Sequence, residues 1–282
     1  MNDMLIRMAV AAVGLGAAAN ALATGFVTLP ATGLAVPGGT SAYASCNTTG
    51  DFGSNPNGST PPTTKANNTC AIFRADDNTP PLAGYVRKAS VTRNIVMKNG
   101  YTNNTSVTVG TVIDEVWRSG TSCIYAAKIR LDNVDYDRRS ASPGKQYFEI
   151  NDFLRAGFKN RGPVAAAYHF SKSQPAADDV LYRAGLTYTS VVHEPGDPAQ
   201  PLTKFAPISP NWVDFTSDVN FLDPDGSSVR DSSWFFVRSA CTSAAPAELA
   251  GALRFRQMGQ EDQPLIEVSI PGFAPANANT NP

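Results

Sequence analysis

Apolar and polar residues alternate most clearly between Ser106 and Leu131. In SVTVGTVIDEVWRS (106–119), Val107, Val109, Thr111, Ile113, Glu115 and Trp117 share one face. Thr108, Gly110, Val112, Asp114, Val116 and Arg118 share the other. Gly120, Thr121 and Ser122 offer a turn, and CIYAAKIRL (123–131) resumes the alternation with Cys123, Tyr125, Ala127, Ile129 and Leu131 on one side. A period of two, in residues rich in Val, Ile, Thr, Tyr and Trp, marks strands. Two such runs joined by a short Gly-containing link make a hairpin. The face with Ile113, Trp117, Tyr125 and Ile129 is expected inward, with Asp114 and Arg118 pairing Lys128 and Arg130 on the outer face.

Similar runs recur downstream: KQYFEI (145–150), VAAAYHF (164–170), LTYTSVVH (186–193), SSWFFVRSA (232–240) and LIEVSI (265–270). A small duplication, ATGFVTLP (23–30) followed by ATGLAVPG (31–38), suits two short edge strands punctuated by proline. Three segments suit short helices. NDFLRAGF (151–158) has Asn151 as a cap; PAADDVLYRAG (175–185) has proline first, acids in the first turn and glycine last; PAELAGALRF (246–255) is a weaker copy of that polarity. With 21 prolines and 22 glycines punctuating the chain, a helical bundle is disfavoured. The expected fold is all-β: a disulfide-stabilised β-sandwich or jelly roll with a few short helices.

The N-terminus changes the picture of where this fold lives. MNDMLIRMAVAAVGLGAAANALA places Arg7 before an apolar run, Met8 to Ala19, and ends in Ala21-Leu22-Ala23. That is the secretory signal pattern, with cleavage expected after Ala23. The run is short of the roughly 20 apolar residues a membrane span needs. The chain then divides into a signal peptide (1–23), a Pro/Gly/Asn/Thr-rich segment (24–80), a β-sandwich domain (81–273) and a disordered tail (274–282). The expected address is secreted or periplasmic, in a bacterial cell.

Four cysteines fit that address. An even count in an exported chain implies two disulfides. Of the three connectivities, Cys46–Cys70 with Cys123–Cys241 is preferred. The first closes a loop around CNTTGDFGSNPNGSTPPTTKANNTC, a tract with almost nothing apolar to bury. The second joins two strands far apart in sequence. No CxxC spacing suggests a metal site, and no motif calls for a cofactor.

Charge excludes some partners. Lys plus Arg number 23 and Asp plus Glu 24, with no basic stripe, so nucleic acid and anionic membrane surfaces are poor partners. Asp223-Pro224-Asp225-Gly226 has the residues of a type I turn, whereas a calcium loop in this frame lacks two essential ligands. Asp132, Asp135 and Asp137 are followed by Arg138 and Arg139, which neutralise them. Only His169 and His193 could serve as a base; neither a G-x-S-x-G nor an H-E-x-x-H motif is present. Glu115 and Glu149, both placed in strands, are the candidate pair for two-carboxylate glycosidase chemistry. Trp212, Tyr188, Tyr182 and Phe221 are candidate sugar-stacking aromatics. These observations favour an exported non-catalytic β-sandwich acting in surface structure, adhesion or ligand binding, with carbohydrate or another surface protein as partner. The alternative is a secreted carbohydrate-active hydrolase using paired carboxylates.

Overall fold

A computed structural model of the chain describes residues 25–36, 39–46, 70–142, 144–169, 182–189, 207–222, 229–258 and 264–282. The described strands, in chain order, are β1 (Val27–Leu29), β2 (Leu34–Val36), β3 (Gly39–Ser41), β4 (Tyr43–Ser45), β5 (Val86–Met97), β6 (Val107–Ser119) and β7 (Ser122–Leu131). They continue with β8 (Glu149–Ala156), β9 (Val164–His169), β10 (Arg183–Gly185), β11 (Trp212–Asn220), β12 (Asp231–Ala240), β13 (Ala247–Met258) and β14 (Leu265–Ala274). Two six-stranded sheets, ordered β1-β9-β12-β7-β6-β5 and β14-β13-β8-β11-β10-β4, face each other, and β2 pairs with β3 alone. All named strand pairs are antiparallel.

The interior is aromatic where the sheets meet. Phe153 and Phe215 come from the second sheet, Tyr168 and Phe235 from the first. Phe153 stacks on Phe235 at 5.0 Å between ring centroids, and Tyr168 meets Phe215 edge-on at 5.3 Å. Such pairs add about 0.5–1.5 kcal/mol each beyond their buried area. The Tyr168 hydroxyl reaches across the interface to the carbonyl oxygens of Arg183 (2.6 Å) and Thr216 (2.9 Å), which share its single proton.

Both disulfides have the expected partners, Cys46–Cys70 and Cys123–Cys241. The second joins neighbouring strands, since Cys123 lies opposite Ser239 in the β7–β12 ladder. The first bridges the two sheets. Cys46 follows β4 and donates its N–H to Tyr182, while Cys70 accepts from Tyr168 in β9. The duplicated octets do supply edge elements: β1 borders the first sheet, and β2 pairs with β3. The described parts of 24–80 thus add strands to both sheets, β1 to the first and β4 to the second.

The hairpin β6–β7 forms, but its faces differ from expectation. Ile95 lies opposite Gly110 and Val96 opposite Thr108, so Val109 is an extra residue in β6. This bulge reverses the parity of everything after it. Val112 and Val116 join Tyr125 and Ile129 in the main core, whereas Ile113 and Trp117 point to the other side of the sheet. There they pack with Ile124, Trp234 and Phe236 beneath Ile72, Leu82 and Tyr85. Gly110 is required at the bulge: a Cβ would stand 2.4 Å from the Arg130 carbonyl oxygen. Asp114 is consequently internal rather than on the outer face, and Lys128 and Arg130 pair with Asp77 and Asp231 instead.

The expected helices are absent among the described residues. Residues 151–156 belong to β8, a strand between β11 and β13 whose eight residues are all buried. With both faces covered, alternation vanishes and an apolar run reads equally as helix. Residues 247–255 belong to β13, where pairing with β8 and β14 overrides the helix preference of Ala, Glu and Leu. Residues 183–185 form β10, and the rest of the third candidate, 175–181, lies outside the described residues. The strand expected at 145–150 begins only at Glu149. Of the strand expected at 186–193, Thr187 makes a bridge to Ile208, and residues 190–193 lie outside the described residues. No helix among the described residues is long and apolar enough to cross a membrane.

Candidate functional site

The carboxylates singled out in the sequence lie on different sheets. Glu115, in β6, accepts from Arg87 (3.0 Å), Ser90 (3.1 Å) and the Trp117 indole (3.0 Å). Glu149, in β8, accepts from the Asn151 side chain. Both are buried. Of the 132–137 aspartates, Asp137 is held by Arg139 through two bonds of 2.8 and 2.6 Å, Asp135 accepts two backbone N–H groups, and Asp132 faces Arg230 at 3.7 Å. Among the described residues, no cluster of His, Cys, Asp and Glu is placed to hold a metal ion.

His169 is buried in β9 with Nδ1 3.0 Å from the Ile72 carbonyl oxygen. Burial pushes its pKa down, so the neutral ring donates from Nδ1 and braces residue 72. His193 and the turn residues Asp223, Pro224, Asp225 and Gly226 lie outside the described residues. The candidate stacking aromatics give no open platform. Trp212 is fully buried beneath Arg254, 4.2 Å from its ring, and Tyr182 is buried against Tyr168. Phe221 and Tyr188 are half-buried, the former under Arg230.

Three features escaped the sequence reading. The first is a pair of buried aspartates. Asp152 of β8 and Asp214 of β11 are both fully buried in the second sheet. Desolvation pushes the Asp214 carboxyl up to about 7, opposed by the Tyr43 hydroxyl, the Arg256 charge and a side-chain bond with Asp152. Two ionised carboxylates cannot donate to one another, so that bond exists only when one of them carries a proton. Tyr43 reaches Asp214 across β10, where Gly185 leaves room: a Cβ there would stand 2.7 Å from the Tyr43 ring. No signal short of the register of β4, β10 and β11 brings these residues together.

The second feature is an edge. β5 is the outermost strand of the first sheet and runs for 12 residues. Ser90, Thr92 and Asn94 are exposed along it, flanked by Val86 (57% exposed) and Val96 (37%). The remaining edges are guarded. β1 and β4 have three residues each, and β14 carries Pro271, which has no N–H to offer. β5 contains Arg87, Lys88 and Arg93, with Lys98 just beyond, and no acid. Lys88 and Lys98 have no ion-pair partner among the described residues.

The third is a cavity of about 220 Å³ at one end of the sandwich. It is lined by Lys159, Asn160 and Arg161 after β8, Asn211 before β11, and Asn277 and Asn279 after β14. The C-terminal residues, expected as a disordered tail, make several bonds here. The Asn211 amide donates to the carbonyls of Asn279 (2.9 Å) and Asn281 (2.6 Å), and Arg161 donates to Ala276 (2.5 Å).

No protein-family model, curated protein or solved structure matches this chain.

Proposed function

We propose that this is an exported, non-catalytic β-sandwich that holds another molecule at a surface, in a structural or adhesive role. The two disulfides indicate an oxidising, extracytoplasmic setting. The observation that carries the reading is the open edge of β5. An edge strand presents a row of backbone donors and acceptors to any extended segment laid beside it, with side-chain contacts setting the choice of partner. The lysines near its two ends and the bulge at Lys88 discourage indiscriminate pairing, while the stretch from Ala89 to Ile95 stays regular. Its charge favours an acidic partner strand over a second copy of itself.

A synthetic extended peptide of alternating valine and glutamate tests this reading. Binding is expected, with slowed hydrogen exchange confined to alternate amides of 89–95. A peptide with lysine in place of glutamate is expected to bind far more weakly. Equal binding of the two peptides, or no protection in β5, removes the basis of the proposal.

The Asp152–Asp214 pair supports a second reading, a hydrolase using paired carboxylates, because one acid held protonated beside another suits general acid–base work. Against it stands the fact that both carboxyls are wholly buried, with Tyr43, also buried, on top of Asp214. Hydrolysis of a polysaccharide panel that is lost in Asp214→Asn would favour this second reading.

A further inference from the structure

The cavity at the end of the sandwich is built from an unusual combination of groups. Four of its residues are asparagines, two are cations, and no carboxylate or aromatic ring among the described residues lines it. Amides both donate and accept, and so do hydroxyls. A wall of amides therefore suits a ligand covered in hydroxyl groups. Lys159 and Arg161 bring two positive charges, and neither has an ion-pair partner among the described residues. Such charges suit a ligand that also carries an anionic group, and a guanidinium binds a planar carboxylate through two parallel bonds.

The site is also held in shape. Asn211 is 1% exposed and joins its three walls. Its side-chain oxygen accepts from the Lys159 N–H (3.1 Å), its carbonyl accepts from Gly157 (2.9 Å), and its amide group binds the C-terminal segment. Arg161 is pinned by its bond to Ala276, and its Nε is buried without a hydrogen-bond partner among the described residues. Two lining asparagines, Asn160 and Asn277, sit at φ of 63° and 59°, the left-handed region that costs a side chain about 1–3 kcal/mol. Gly157, at φ 112°, lets the wall close, since a Cβ there would stand 3.0 Å from Ala274 and Ala278.

Size narrows the ligand further. Pockets for drug-sized molecules begin at about 300 Å³. At about 220 Å³ this one suits a single ring. A nucleotide would need an apolar or aromatic slot for its base. A bare phosphate would leave most of the amides without a role. We infer that the cavity binds a carboxylated sugar ring, such as a uronic acid unit of a polysaccharide. The site is separate from the β5 edge and does not depend on its role.

Nitrogen-15 NMR titration of the intact protein with galacturonate, galactose and inorganic phosphate tests this. Galacturonate is expected to shift the amides of Asn160, Arg161 and Asn277. Galactose should bind at least about tenfold more weakly, since it lacks the charge-assisted bonds. Lys159→Gln and Arg161→Gln should each weaken galacturonate by about tenfold on the same grounds. Lys159 is exposed, so its variant is expected to stay folded even if loss of the Arg161 bond to Ala276 loosens the end of the sandwich. Galactose or phosphate binding as well as galacturonate, shifts located elsewhere, or no shifts at all would each overturn the inference.

Discussion

Tyr43 and Asp214 stand on strands separated by β10, yet the phenol of one donates to the carboxyl of the other over the bare backbone of Gly185. This bond fixes β4, the last strand of the second sheet, to a buried acid in β11. Tyr43→Phe removes the donor and leaves the rest of the ring in place. The expected loss is about 1–3 kcal/mol of folding stability, the cost of leaving a buried polar group without its partner. Chemical denaturation measures it. A loss near zero would show that Asp214 is satisfied without the phenol.

Stability should also depend on pH through the same carboxyl. Asp214 keeps its proton in the fold up to about pH 7 but releases it near 3.8 when unfolded. Folding therefore takes up a proton between those values. This contribution is fully present below about pH 4 and is lost as pH rises through about 7, with a slope of at most ~1.4 kcal/mol per pH unit. Asp214→Asn cannot ionise and should lack the slope. Across this range the denaturant midpoint of the wild type should fall relative to that of the variant as pH rises. Parallel curves would assign the proton elsewhere.

Inside the sandwich, Asp114 and Arg155 form a wholly buried ion pair at 2.8 Å linking β6 to β8. Asp114 also accepts from Arg93 and the Phe273 N–H, and Arg155 donates to the carbonyls of Phe273 and Ala126. Asp114→Ala strands a buried guanidinium and should cost about 3–5 kcal/mol. Replacing both residues together, Asp114→Leu with Arg155→Met, should recover most of that loss. A double variant as unstable as the single one would mean that the backbone bonds, not the charge, dominate.

The two disulfides should contribute unequally. They close loops with sequence separations of 24 and 118 residues. Loop entropy assigns them about 3.5 and 5 kcal/mol respectively. Cys123→Ser with Cys241→Ser is therefore expected to lower the melting temperature more than Cys46→Ser with Cys70→Ser. The opposite order would show that tying two sheets together matters more than shortening the unfolded chain.

The all-β class, the hairpin and the presence of two disulfides were legible because each leaves a mark: alternation, a glycine link, an even cysteine count; the preferred pairing rested instead on the tract between Cys46 and Cys70, which has almost nothing apolar to bury. The faces of the hairpin were not, because one additional residue at Val109 inverts them; Gly110, an isolated glycine inside the run, is a local mark of the bulge, but it does not say which residue is the extra one. β8 was misread because burial on both sides erased its period. Asp152, Asp214 and Tyr43 carried no mark at all. Their meeting is a product of strand order, which no stretch of sequence displays. The cavity was hidden for a related reason: its asparagines come from three places in the chain, each resembling an ordinary loop.

The sulfur bridge from Cys46 to Cys70 has a mechanical consequence for a molecule working under load. Tension applied to the N-terminal side would peel β1 to β4 and then meet a covalent stop. Force would pass through the bridge directly to residue 70, bypassing the intervening tract. At ~3.5 Å per residue of fully extended chain, a contour length on the order of 80 Å lies between the two cysteines and carries no load while the bond is oxidised. Reduction would bring that length into the load path, so the maximum reach of the chain under tension would depend on redox state.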